Sequence, residues 1–275
     1  MSEHERAVQQ GERFRFGANW ARFLEALNDE RIEEAKASLR RMLGMESLSG
    51  LTFLDIGSGS GLFSLAARSL GATTHSFDYD PESVACTREL RQRYFPGDPQ
   101  WVVETGSVLD GTYLARLGRF DVVYSWGVLH HTGQMWNALG NVAALVEPGG
   151  RLFIAIYNDQ GRSSRMWLAV KKTYNALPSS LRMIVLVPSA CRLWLPMMVR
   201  DLASGSPFRT WKSYAKERGM SAWRDVVDWV GGYPFEVAKP DQLFDFFRHK
   251  GFTLERLRTC GGGHGCNELV FLRSR

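Results

Sequence analysis

The hydrophobic pattern changes period several times along the chain, and each change marks an element. Leu51 to Ile56 is an apolar run carrying Asp55 near its end, followed by glycines at alternate positions, Gly57, Gly59 and Gly61. A periodic apolar segment, Leu62 to Leu70, follows at once, so the stretch predicts strand, tight turn and helix. Further strands are predicted at 73–78, which ends in Asp78, and at 100–105, 120–125 and 151–157. Helical patterns fill the gaps, one opening at Pro81, where proline's missing N–H would lack a partner anyway, and another over 137–145. Strands alternating with helices through short links predict a parallel sheet covered on both faces. Ligands of such sheets sit at the carboxyl ends of the strands, where the strand order switches.

The flanks read differently. Residues 1–19 are polar, and from Trp20 a helical pattern sets in, with Ile32, Ala35, Leu39 and Met42 three and four apart and Gly44 as its stop. Residues 160–230 hold several helical stretches and no convincing strand. The most apolar of these, Leu181 to Arg200, is interrupted by Arg182, Pro188, Arg192 and Pro196, so a membrane span is not expected. A lid packing its apolar face on the core, a pocket for a lipid-like substrate and a helix lying in a membrane interface all fit it. Arg209, Lys212, Lys216, Arg218 and Arg224 give this region a basic tint that a solvated face also explains. Alternation then resumes with a helix from Pro240 to His249, a strand over 252–259, a tight turn over 260–267 and a last strand over 268–272.

Composition narrows the class without naming it. At 275 residues the chain suits one large domain or one domain with an insertion, and 44% hydrophobic with 23% charged residues is ordinary for a soluble globular protein. A net charge of +5 and a pI near 9.1 are compatible with nucleic acid or a membrane surface and require neither. The four dispersed cysteines, with a charged N-terminal stretch unlike a signal peptide, give a reducing cytoplasm as the expected location.

The chemistry concentrates at the first two strands. Glycines are needed where the backbone turns sharply or a ligand approaches without meeting a Cβ. Asp55 can hold the turn or a cationic ligand group, and Asp78 can accept hydrogen bonds from both hydroxyls of a ribose. The G-x-G-x-G spacing differs from the dinucleotide G-x-G-x-x-G, and no second nucleotide-binding half follows. A nucleoside without a pyrophosphate is therefore the expected ligand.

At this point the chain resembles the class I S-adenosylmethionine-dependent methyltransferases. The matching residues are Leu54-Asp55-Ile56-Gly57-Ser58-Gly59-Ser60-Gly61, Phe77-Asp78-Tyr79-Asp80, Gly106-Ser107-Val108-Leu109-Asp110, the run from Phe120 to His131, and Val146-Glu147-Pro148-Gly149-Gly150. The resemblance implies an α/β fold: a Rossmann-like seven-stranded, mostly parallel sheet with an antiparallel terminal hairpin and a helical insertion before the last helix and hairpin. It implies a single methyltransferase domain over 1–275, with an N-terminal helical cap (1–49), a cofactor-binding core (50–159), an insertion or lid (160–238) and a closing helix and hairpin (239–275). S-adenosylmethionine is the implied cofactor, held by Trp20, Asp55, Gly57, Ser58, Gly59, Gly61, Asp78, Tyr79, Ser107, Val108, Ser125 and Trp126. Ser107 departs from the pattern, since many members carry there an acid facing the adenine amino group. Phe16 and Asn19 join Trp20 if the N-terminal helix packs over the cofactor; edge packing is the alternative.

For the acceptor, His130 and His131 follow the fourth strand, where an imidazole can take a proton from an oxygen or nitrogen nucleophile. Holding the loop by hydrogen bonds is the alternative role. Tyr233, Glu236 and His264 are the other candidates on the same rim, in glycine-rich runs suited to close approach. Cys260, His264 and Cys266 lie too close in sequence, without paired C-x-x-C, for a metal to be expected. The reading is methyl transfer to an oxygen or nitrogen of a small, apolar acceptor, in a motif neighbourhood similar to quinone-biosynthesis O-methyltransferases. An RNA methyltransferase and a non-catalytic, S-adenosylmethionine-binding regulatory or scaffold protein are the rivals. Nucleic acid is not the expected partner, no recognisable RNA-binding module being present, and peripheral membrane contact stays open.

Overall fold

The structure, a computed structural model, describes residues 3–25, 27–212, 222–261, 263 and 265–275. Its sheet has seven strands: β1 (Thr52–Ile56), β2 (Thr73–Asp78), β3 (Trp101–Thr105), β4 (Phe120–Trp126), β5 (Val146–Tyr157), β6 (Phe252–Arg258) and β7 (Cys266–Arg273). They lie in the order β3-β2-β1-β4-β5-β7-β6. Strands β1 to β5 are parallel, and β7 runs antiparallel to both β5 and β6. This is the Rossmann-like α/β sheet with its antiparallel close. The chain builds outward from β1 in both directions, so the order switches between β1 and β4.

The period of two along β1 explains why it sits at the centre. Leu54 and Ile56 join Val123, Leu139, Ile154 and Phe247 in the core on one face, while Phe53 joins Leu39, Ala66, Tyr124 and Phe153 on the other. Both faces are therefore buried, and each large side chain removed from water contributes about 1.5–3 kcal/mol. Asp55 falls on the Phe53 face and is buried with it.

The helices that dress the larger unit are α2 (Gly17–Glu25), α3 (Asp29–Leu43), α4 (Leu62–Ser69), α5 (Pro81–Tyr94), α6 (Gly111–Leu117), α7 (Met135–Ala144) and α11 (Pro240–Arg248); α1 (Glu3–Gln9), α8 (Arg162–Ala176), α9 (Met183–Ala203) and α10 (Ala222–Gly231) lie outside it. Several boundaries differ from expectation. The polar N-terminal stretch contains α1. The helical pattern from Trp20 divides into α2 and α3, because Asn28 has extended backbone and its side chain accepts the Arg31 N–H at 3.1 Å, starting a new helix. Strand β5 begins at Val146, ahead of the expected 151, because Val146 already pairs with Phe120 before an irregularity in the ladder. Helix α9 runs through Pro188 and Pro196 without a break, although both prolines remove a backbone donor.

The described chain divides into two compact units. The larger takes Gly17–Gln160 and Glu236–Arg275 and contains the whole sheet. The smaller takes the described residues up to Phe16 together with Gly161–Phe235. The 1–49 stretch is thus shared between the units at Gly17, and the inserted segment runs 161–235.

Within the smaller unit, the Phe14 N–H donates to the Tyr233 carbonyl at 2.9 Å, and Asn175 donates through Nδ2 to the carbonyls of Lys171 (2.9 Å) and Gly231 (2.8 Å). Lys171 is fully buried, its ammonium hydrogen-bonded to the Trp229 carbonyl and lying 4.5 and 4.7 Å from the Trp229 and Phe235 ring centres. Burial pushes its pKa down to about 7.

Candidate cofactor and acceptor site

The glycine loop closes on the end of β2. The Gly57 and Ser58 N–H groups both donate to the Phe77 carbonyl, at 2.8 and 3.2 Å. The Gly59 N–H donates to Asp78 Oδ2 at 2.9 Å, and the Gly61 N–H to the Ser58 carbonyl at 2.8 Å. Four of the loop's amides are therefore committed within the protein. A loop that cradles phosphate presents those donors to the anion, so this geometry fits the nucleoside expected from the spacing. Ser58 adds a hydroxyl pair with Thr87 at 2.9 Å. The glycines are required by the chain itself: a Cβ on Gly57 (φ +76) would lie 2.4 Å from Val128 Cγ1, and one on Gly61 (φ +82) 2.8 Å from the Thr87 Cα.

Two carboxylates, buried Asp55 and half-buried Asp78, stand at the ends of adjacent strands. Asp78 takes the Gly59 N–H on Oδ2 and the Asp80 N–H on Oδ1, at 2.9 Å each. Burial pushes its pKa up to about 6 against the lowering effect of these amide bonds. Asp55 is pushed up to about 7, chiefly by burial; its bond from Ser64 works against this and the Asp78 charge adds to it. Ser64 Oγ donates to Asp55 Oδ2, Ser76 Oγ donates to Ser64 Oγ at 2.8 Å, and Trp101 Nε1 donates to Ser76 Oγ at 2.9 Å. This buried chain crosses from β3 to β1 and fixes the Asp55 carboxyl. Nothing in the one-dimensional pattern marks Ser64, Ser76 or Trp101 for that role.

Beyond the switch point, Ser125 and Trp126 separate. Ser125 is buried and donates from Oγ to the Ile56 carbonyl at 3.0 Å, tying β4 to β1. Trp126 is exposed at the strand end and donates from Nε1 to Glu268 Oε1 at 3.2 Å. Trp126, Ala155 and Glu268 form one row across β4, β5 and β7. Tyr124, in register with Asp55, is buried, and among the described residues its hydroxyl has no hydrogen-bond partner. Burial, with the charges of Asp55 and Glu268, holds its pKa well above the usual tyrosine value.

The two histidines also separate. His130 is fully buried, accepts the Tyr157 N–H at Nδ1 (3.3 Å), and packs its ring 3.9 Å from that of Tyr157. His131 is half-buried, its ring 4.5 Å from that of His130 and edge-on to Tyr157 at 5.4 Å. Glu236 holds this turn in place. Its N–H donates to the His130 carbonyl at 2.9 Å, and its carboxylate accepts the Met135 N–H at 3.0 and 3.1 Å, at the start of α7. A negative charge there complements the helix dipole. Burial raises the Glu236 pKa. The Glu236 carboxylate thus faces backbone amides of the turn, those of Gly133 and Met135.

The remaining candidates are dispersed. Trp20 lies on the loop: a Cβ on Gly59 would meet its indole at 3.1 Å, and the helix that carries it is anchored by the Gly17 N–H on Asp80 Oδ2 at 2.9 Å. Tyr79 contributes its amide to the Asp78 carboxylate. Ser107 turns its hydroxyl to the Leu109 N–H at 3.2 Å, and Val108 is buried in the core with its carbonyl bonded to Asn141 Nδ2 at 2.8 Å. Tyr233 belongs to the smaller unit, and His264 lies outside the described residues. Two hollows of about 630 and 490 Å³ open elsewhere, beside Arg41 and Arg256; none of the candidate residues lines them.

The switched sheet with a glycine loop closed on the acid that ends β2 defines a nucleoside-binding class of α/β protein, and the comparisons with known proteins agree. A methyltransferase domain family matches residues 21–219. The chain belongs to this family, a class of proteins whose cofactor is S-adenosylmethionine. A ubiquinone biosynthesis O-methyltransferase of Methylobacterium sp. (strain 4-46) is 32% identical over 130 residues, covering 45% of this chain and 48% of that protein. A tRNA U34 carboxymethyltransferase of Methylococcus capsulatus is also 32% identical, over 46% of this chain and 39% of its own length. The chain thus spans about half or less of these curated relatives. In fold it is similar to magnesium protoporphyrin IX methyltransferase from Synechocystis PCC 6803, solved with bound SAH, at a TM-score of 0.55 and 15% identity, covering 94% of this chain and 95% of that one.

The residues present fit S-adenosylmethionine. Half-buried Asp78 stands beside a loop whose amides are already satisfied, and its carboxylate is of the kind that accepts hydrogen bonds from ribose hydroxyls.

Proposed function

We propose that this protein transfers a methyl group from S-adenosylmethionine to an oxygen or nitrogen of an apolar small molecule. One observation carries the reading: a glycine loop closed on half-buried Asp78 stands at the same sheet end as the Trp126–Glu268 pair and the His130–His131 turn. The cofactor supplies an electrophilic methyl on a sulfonium. Asp78 binds the ribose, and Asp55, held by Ser64, faces the cationic end. Trp126 gives the acceptor a flat apolar surface, its indole fixed by Glu268. His131, the more accessible histidine, takes the acceptor proton, while His130 and Glu236 hold the turn that presents it. Alignment of nucleophile, methyl and sulfur contributes on the order of 7–11 kcal/mol in well-oriented systems. The quinone-pathway relative supports the apolar acceptor, and four free cysteines support a reducing, cytoplasmic setting.

The test follows methyl-labelled S-adenosylmethionine in the presence of an alkyl-substituted catechol and, separately, of RNA. Label should enter the organic-extractable catechol and not the RNA. Label in RNA alone would overturn the acceptor class. Tight cofactor binding with label transferred to neither, nor to a solvent extract of cells, would replace the enzyme with a binding protein.

A further inference from the structure

Helix α9 has its polarity inverted. The side turned to its own unit buries Ser189 and Asp201 beside Leu186 and Trp194. The outward side carries Ile184 (68% exposed), Val187, Leu195 (58%), Val199 and Leu202 (67%), at spacings that keep one stripe of the helix. A surface helix of a soluble protein ordinarily shows the reverse arrangement. The charges follow a matching rule. From Ser179 to Lys212 the sequence has five basic residues, Arg182, Arg192, Arg200, Arg209 and Lys212, and one acid, Asp201. That acid is occupied internally, accepting the Thr210 N–H and hydroxyl at 2.7 Å each. Exposed Arg192 borders the apolar stripe, and exposed Phe208, Arg209 and Lys212 continue it beyond the helix.

Segment 179–203 is long and apolar enough to cross a bilayer by length and composition. Crossing would pull Leu186, Trp194 and Asp201 out of their packing, including the Trp194–Trp211 edge contact at 4.5 Å. A helix that keeps one side packed and offers the other, apolar and bordered by Arg192 with more basic residues just beyond its end, is built to lie along a surface. We propose that the outward face of α9, with the turn to Lys212, docks on an anionic phospholipid bilayer. The stripe enters the boundary between headgroups and acyl chains, and the arginines meet lipid phosphates. The inference does not depend on the methyl-transfer reading.

The test is flotation of the full chain with vesicles of phosphatidylcholine alone or of equimolar phosphatidylcholine and phosphatidylglycerol. Wild type should float with the anionic vesicles at low salt, and less as salt rises. Arg192→Glu with Arg209→Glu should weaken partitioning on the order of 25-fold or more, about 5-fold for each arginine removed. Ile184→Glu with Leu195→Glu should weaken it by at least about 10-fold. Both double variants change solvent-facing positions, and unchanged S-adenosylmethionine titration and thermal melting would confirm that they fold. No flotation of wild type on anionic vesicles, or equal flotation of the Ile184→Glu/Leu195→Glu variant, overturns the proposal. A concentration-dependent dimer abolished by that same variant, without vesicle binding, also overturns it and assigns the face to a second copy.

Discussion

Gly57→Val should remove measurable cofactor binding and cost the fold about 2–5 kcal/mol, the sum of a left-handed backbone strain of about 1–2 and an overpacking cost of about 1–3. The cause lies inside the protein. Gly57 has φ +76, and its Cβ would fall 2.4 and 2.5 Å from the two methyls of Val128, in the segment that leads into the His130 turn. Either the loop or that segment must move. Movement of the loop breaks the Gly57 and Ser58 bonds to Phe77, which set the height of the Gly59 N–H over Asp78. Gly97 is the control, with a φ of +71 and nothing within 4 Å of its Cβ. Gly97→Val should pay the backbone strain alone and bind S-adenosylmethionine normally. Thermal melts and calorimetry on both variants separate the terms; equal losses in the two would contradict the steric account.

His131→Ala should lower turnover by about 10²–10⁴-fold with cofactor affinity nearly unchanged, the signature of a lost proton acceptor. In the wild type the rate should rise with pH through the histidine's titration, and the variant should lose that limb. His130→Ala should behave differently. Its buried ring holds the Tyr157 amide and packs between Tyr157 and His131, so its loss should lower stability and disturb binding and turnover together. A flat pH–rate profile, with near-normal turnover in folded His131→Ala, would dispose of histidine as the base.

Much of the fold could be read from one dimension because its signals are local. The run into Gly57, the acid ending β2 and the Pro81 start of α5 each declare themselves within a few residues, and parallel alternation follows from their sequence. The site is less legible because its support comes from distant positions. Glu236 steadies the start of α7 from 101 residues away, and Trp126 meets Glu268 across 142. Ser64 and Ser76 look like ordinary surface-type residues until β1, β2 and α4 bring them into one buried chain with Asp55. The prolines of α9 mislead in the other direction: a local rule predicts interruption, and the helix is continuous from Met183 to Ala203. The α1 stretch is too polar to announce a helix by periodicity.

The central claim, that the end of the sheet binds S-adenosylmethionine through Asp78, is tested most directly by calorimetric titration of wild type and Asp78→Ala with that cofactor as pH is varied. The wild type should bind, and its affinity should fall as pH drops below about 7, as Asp55 beside the cationic end and then Asp78 beneath the ribose take up protons. Asp78→Ala should bind about 10- to 150-fold more weakly, the equivalent of about 1.5–3 kcal/mol for a bond to a charged group, and should keep the Asp55 limb while lacking the further fall near pH 6. Failure of the wild type to bind, or unchanged affinity in folded Asp78→Ala, would contradict the account.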